Sequence, residues 1–211
     1  MLRDTVVQLI QGRLNRTGME TTIISEMQFV QEFLLEGTGA FTPWFLASEM
    51  ANVDAPLGEE RVLLPTDFLG EIEEQSLWRY DATNVTCPYT ELHKTAYDRI
   101  ILKYEIAGTP QEYAIVDNYI LLRPIPDTVY NIRMRYYAKD VTLTSNIENK
   151  WLKYAADWVM AETGRILAGD YIRNDALEAK FQLEANTARQ RVWTRHEARQ
   201  TTNRTYGMGE D

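Results

Sequence analysis

EYAIVDNYILLRPIPDTVYNIRMRYY, residues 112–137, decides the fold class. The stretch reads as three β-strands in succession, joined by turns at Asp117-Asn118 and around Pro124-Ile125-Pro126-Asp127-Thr128. Apolar or aromatic residues recur at every second position in Tyr113 and Ile115, and again in Tyr130, Ile132, Met134 and Tyr136. A period of two is what a sheet with one face against a core requires. The intervening Asn131, Arg133 and Arg135 are expected to face outward.

Upstream of these strands, the chain from about Phe41 to Asp140 is β-rich. Trp44, Phe45 and Leu46 are expected in a strand, and Asp54-Ala55-Pro56-Leu57-Gly58 is a turn. Arg61 to Leu64 forms a further strand stopped by Pro65, and a weaker strand covers Leu77 to Tyr80. Residues 95–104 suit a short helix, although Ile100, Ile101 and Leu102 also suit a strand.

Both ends of the chain are helical. Asp4 or Thr5 caps a helix through about Asn15 with Val6, Leu9, Ile10 and Leu14 on one face, and Gly18 breaks it. A second helix runs from Thr22 or Ser25 to Glu36, with Met27, Val30, Phe33 and Leu34 as its buried stripe. Near the other end, Ser145, Asn146 or Asn149 caps a helix from Lys150 to Ala168. Its apolar residues, Trp151, Leu152, Trp158, Val159, Met160, Ile166 and Leu167, cover so wide an arc that it should be the central one. After Gly169-Asp170 a last helix runs from about Asn174 to Gln200. The fold class is α+β: a bundle of N- and C-terminal helices with a central antiparallel β-rich insertion and an extended C-terminal arm. This divides one domain, 1–200, into helical 1–36, β-rich 37–140 and helical 141–200, followed by a flexible tail, 201–211.

With 211 residues, 45% of them hydrophobic and 25% charged, the composition is that of one globular domain with appendages. No apolar run approaches the roughly 20 residues needed to span a bilayer, and the start MLRDTVVQLIQGRL has no signal-peptide pattern. A cytosolic protein, or one assembled from the cytosol, is expected. Cys87 is the single cysteine, which excludes a disulfide within the chain and a cysteine metal site. Cys87 is expected to be a small buried residue, because no basic neighbour or helix dipole stands by to activate it.

Catalytic signatures do not emerge. His93 and His196 show no metal-ligand spacing, and the chain has no GxSxG elbow, P-loop or GxGxxG. The carboxylates Glu71, Glu73 and Glu74 read as a solvated face. No enzyme and no cofactor is expected. Arg133, Arg135, Tyr136 and Tyr137 could stack nucleic-acid bases on a sheet, yet alternation makes one face of this strand core and the glycine-aromatic pattern of such sheets is missing.

The net charge is −9 and unevenly placed. Between Thr187 and Tyr206, five arginines stand against the single acid Glu197, which gives +4 there and leaves −13 on the rest. Two surfaces for two partners would explain this division; so would a solvated helix end whose arginines favour the negative pole of the helix dipole. In the last helix Phe181, Ala185, Ala188 and Val192 make a core stripe. Continued, it lands near Arg195 and Arg199, so the helix should outrun its own core.

Four pieces in order carry a likeness: LPTDFL (64–69) after a strand, GTPQEYAI (108–115), YILLRPIP with YNIRMRYY (119–126, 130–137), and NKWL (149–152) opening two long helices. Together they resemble the head-to-tail adaptor, or connector, proteins of tailed bacteriophages, including the tubular tail component of short-tailed phages. The resemblance implies a homo-oligomeric ring, a dodecamer, placed in the virion neck or tail and assembled in the host cytoplasm. The ring would contact the portal protein and a downstream tail protein. Genomic DNA would pass through its channel without specific binding, with no membrane involved. It also implies a C-terminal arm that docks on the portal, which makes Arg191, Arg195, Arg199, Arg204 and Tyr206 the docking residues. The acidic remainder suits a conduit that must not hold phosphates. The competing reading is a regulatory protein that binds nucleic acid through the arginine-rich helix. Deletion of 187–211 is expected to leave a folded body and to separate the two.

Overall fold

The computed structural model describes residues 1–36, 42–72, 76–80, 86, 88–103 and 105–205. They form two compact units: a helical unit from Met1–Leu46 with Asp140–Asp211, and a β unit, Ala47–Lys139. The architecture is α+β with a central β insertion, as the sequence indicates.

The β unit contains β1 (Ala47–Ala55), β2 (Arg61–Leu63), β3 (Phe68–Glu71), β4 (Leu77–Tyr80), β5 (Tyr89–Glu91) and β6 (His93–Lys94). After a short helix, Tyr97–Ile100, follow β7 (Ala107–Gly108), β8 (Glu112–Val116), β9 (Tyr119–Arg123), β10 (Ile125–Pro126) and β11 (Tyr130–Ala138). The turn before β2 depends on Gly58 at φ 76°, a conformation glycine adopts without steric cost.

The decisive stretch differs from its simplest reading in one respect. Its three strands do not share a sheet. β8 and β9 form an antiparallel hairpin in the order β2-β9-β8-β6, whereas β11 is central to a second sheet of order β1-β11-β4-β5, with β3 also on β11. The chain changes sheets at Pro124 and Pro126, which lack the N–H that a ladder needs. Asp117 turns the hairpin at φ 50°, a left-handed position that aspartate tolerates.

In β11 the alternation holds: Ile132, Met134, Tyr136 and Ala138 are buried. They pack with Tyr113, Ile120, Leu122, Val62, Leu77 and Leu92 from the other strands. β9 is apolar on successive residues because both its faces are covered, Leu121 meeting Ala114 and Ile100 of the short helix on the reverse side. Arg133 and Arg135 alternate with this buried set: Arg133 is half-buried, donating to the Tyr89 hydroxyl (2.8 Å) and lying 4.8 Å from its ring centre, and Arg135 is exposed. One expectation needs correction: Glu71 is no solvated carboxylate, for it accepts from Tyr113 Oη (2.5 Å) and Ser76 Oγ (3.0 Å) and pairs with Lys94. Cys87, Glu73 and Glu74 lie outside the described residues.

In the helical unit α1 (Arg3–Leu14) and α2 (Glu20–Glu36) precede a 3-10 turn, Trp44–Leu46. They are followed by α3 (Lys150–Tyr154), α4 (Ala156–Ile166), a π-helical turn (Leu167–Ile172) and α5 (Asp175–Thr205). α1 begins earlier than expected, and no residue of its own caps it. Ile147 O and Asn146 Oδ1 accept from the N–H groups of Arg3 and Asp4 instead. Its buried face is Val6, Val7, Ile10 and Leu14, with Leu9 exposed, and its C-cap is Asn15 (φ 51°), where the helix was expected to end. Trp44-Phe45-Leu46 is a turn instead of a strand. There Phe45 meets Trp151 edge-on at 5.2 Å, and Trp151 meets Trp158 at 6.0 Å.

Asn149 is the cap before α3, its Oδ1 accepting from Leu152 N at 3.0 Å. Its amide donates to Gln31 Oε1 (2.9 Å) and Val141 O (3.1 Å), so a buried polar side chain is satisfied in three directions. The expected single helix 150–168 is broken at Ala155 and continues past Gly169-Asp170 as the π turn, ending at Arg173 (φ 56°). Asn174 then caps α5 through Leu177 N.

Candidate functional site

α5 carries four of the expected docking residues, Arg191, Arg195, Arg199 and Arg204, and its packing shows where the first three side chains lie. Phe181, Ala185, Ala188 and Val192 form the buried stripe as expected. The closest approach is at α4, where a Cβ on Gly164 would come within 2.6 Å of the Phe181 ring. Beyond Val192 the stripe does not stop. His196 takes the next position and is buried, its ring 6.0 Å from that of Trp193. Burial lowers the proton affinity of the imidazole below the usual histidine range, with the charge of Glu197 opposing.

Arg199 takes the position after that. Its guanidinium lies 3.5 Å from the centre of the Trp44 ring, which itself packs on Tyr154 at 4.9 Å. A cation over an indole face is the strongest form of this contact. Arg199 is thus a packing residue of its own unit, and the helix leaves its core about two turns later than the stripe of small and apolar residues implies.

Arg191 and Arg195 remain exposed, lining a shallow groove with Thr187, Gln190 and Thr194. They and Arg189 have no acidic partner among the described residues. Helical backbone continues to Thr205. The Arg204 side chain and all of Tyr206 lie outside the described residues.

A second surface of the helical unit was assigned by the sequence to the core. In α2 the buried residues are Ile23, Met27, Val30 and Leu34, while Phe33 is 43% and Phe29 54% exposed. The two rings stack at 6.2 Å. With Ile166, Arg165, Asp170, Tyr171 and Glu26 they line a cleft of about 380 Å³. Tyr171 donates to Glu26 Oε1 at 2.7 Å, and the carboxylate raises the phenol above its ordinary range. Arg165 is neutralised by Glu162 at 2.8 Å and Glu178 at 3.9 Å. Glu26 and Asp170 have no basic partner among the described residues, so the cleft is aromatic with an acidic rim. The spacing Phe29-Phe33, one turn apart beside a stripe already complete without them, is the signal that could have found it.

No group of three or more His, Cys, Asp or Glu side chains that could hold a metal ion occurs among the described residues. No described helix is long and apolar enough to cross a membrane. The family model for the SU10 adaptor protein matches residues 4–207, nearly the whole chain, and the chain belongs to that family of phage head-to-tail adaptors. No curated protein matches the chain.

Proposed function

We propose that this protein is a non-enzymatic component of the virion neck. It forms a homo-oligomeric ring, a dodecamer by family likeness, between the portal and the tail, and the genome passes through the channel without being bound. Membership of the adaptor family supports the structural role. The observation that carries portal docking is the end of α5. The last described side chain of the helix, Arg199, lies on Trp44, and the helical backbone continues to Thr205 with a basic sequence. Arg195, Arg204 and Tyr206 are the docking residues in this reading. Guanidinium groups would take portal carboxylates in bidentate pairs, and the tyrosine ring would anchor the end of the arm. Arg199 supports them by fixing the helix on Trp44.

The packing also changes the test. Deleting 187–211 would remove Ala188, Val192 and His196 from the core, so loss of binding would follow from unfolding alone. Deleting Thr201 to Asp211 spares every one of them. The shortened protein is expected to keep its helical content and its thermal midpoint while losing cosedimentation with portal rings. Retained portal attachment would overturn the docking assignment. If the full chain instead binds duplex DNA as a monomer, with affinity falling steeply with salt, the nucleic-acid reading replaces this one.

A further inference from the structure

The aromatic cleft has a counterpart on the same unit. On α5, Leu183 is 69% exposed, an isolated apolar side chain on a solvent-facing strip. Thr187 and Arg191 follow at successive turns, about 12 Å from Leu183 to Arg191 at 1.5 Å per residue. Glu184 sits on the neighbouring face and is taken by Arg13 at 2.9 Å. The strip is therefore apolar at one end and basic at the other, and the acids beside it are Asp157 of α4 and Glu184, the latter paired with Arg13. The cleft is aromatic at its floor and acidic at its rim, through Glu26 and Asp170.

These two surfaces cannot meet within one copy. Gly164 of α4 faces Phe181 of α5, whereas Ile166 lines the cleft beside α2. Two residues along a helix turn the side chain by about 200°. α2 and α5 thus pack on different faces of α4, with the cleft reaching the start of α5 where Arg165 meets Glu178. Complementary patches at different places on one unit give head-to-tail contacts, and such contacts close into rings when the rotation permits. The π-helical turn that supplies Asp170 and Tyr171 is of a kind often found at functional sites.

We propose that the cleft of each copy receives the α5 strip of the next. Leu183 packs against the Phe29-Phe33 pair, and Arg191 pairs with Glu26 and Asp170. This rests on the ring reading above and names the surfaces that make the ring.

The test places cysteines at Phe33 and Leu183 in the full-length chain carrying Cys87→Ser. The protein is assembled on portal rings, oxidised and run without reductant, and particles of the parent chain are viewed by electron microscopy. Both cysteine positions are exposed, so the fold is spared. Phe33→Cys with Leu183→Cys is expected to give a ladder extending well past the dimer, and either alone to stay monomeric. Arg191→Glu is expected to weaken self-association by about tenfold or more, with recovery when Asp170→Arg is added. A ring in the micrographs without a ladder would overturn this interface and leave the ring reading standing. Dimers from Phe33→Cys alone would overturn it in favour of a twofold contact, and a cross-link from the cleft to the portal would assign the cleft to that partner instead. Absence of any ring would remove both readings.

Discussion

Gly164 shows how tightly single residues constrain the helical unit. Three atoms of the Phe181 ring lie 2.6 to 2.8 Å from where a Cβ would stand. Phe181 is itself fully buried, so the ring has little room to withdraw. Gly164→Ala is expected to destabilise the unit by ~1–3 kcal/mol, as over-packing does, read as a lowered urea midpoint at unchanged slope. An unchanged midpoint would mean that α4 and α5 do not approach so closely. His196 gives a pH signature. Burial depresses its pKa in the folded state, so the unfolded chain binds the proton more readily. The stability that neutral His196 contributes is complete above the unfolded value of about 6.5 and is lost as pH falls from there toward the lowered folded value. The thermal midpoint of the native protein should therefore fall more steeply between about pH 7 and about pH 5.5 than that of His196→Asn. Parallel curves would place the acid sensitivity elsewhere.

Elements were legible where the determining physics is local. The alternation Ile132, Met134, Tyr136 declared the buried face of β11, and Asp117-Asn118 declared the hairpin. Asn149 was among the caps proposed before Lys150, and the structure selects it because its amide also reaches Gln31 and Val141. Replacing Asn149 by Ala removes the cap and leaves buried groups unpaired, a loss expected at ~2 kcal/mol in denaturant titration. An effect under a few tenths would show that water replaces the side chain. What stayed hidden depends on residues far away in sequence. Nothing near Trp44 says that its ring will lie under Arg199, and no local pattern says that β9 and β11 part company. Phe33 looked like core because it sits beside Leu34, yet Ile23, Met27, Val30 and Leu34 already fill that face. The basic face of the last helix was readable in the sequence, whereas the contact of Arg199 with Trp44 was not.

At the scale of the whole molecule, charge separates an adaptor from a nucleic-acid-binding protein. The chain carries −9, with +4 concentrated between Thr187 and Tyr206. If that segment served to grip DNA, each phosphate it neutralised would steepen the salt dependence by about 0.9 in the log–log slope, so a contact using all five arginines would give about −4.5. The packing argues for less. Arg199 lies flat on Trp44, and the −13 elsewhere repels a polyanion at any range shorter than the screening length, about 8 Å at physiological salt. A protein whose arginines serve other proteins should show no measurable retention of duplex DNA at about 150 mM salt, and only a shallow dependence below it. Fluorescence anisotropy of a labelled duplex, titrated with the full chain across a salt series, reads this directly. A slope near −4.5 with binding that persists at physiological salt would transfer the arginines from portal and neighbour to the genome. A flat response, together with the loss of portal attachment when 201–211 are removed, would leave them as protein contacts.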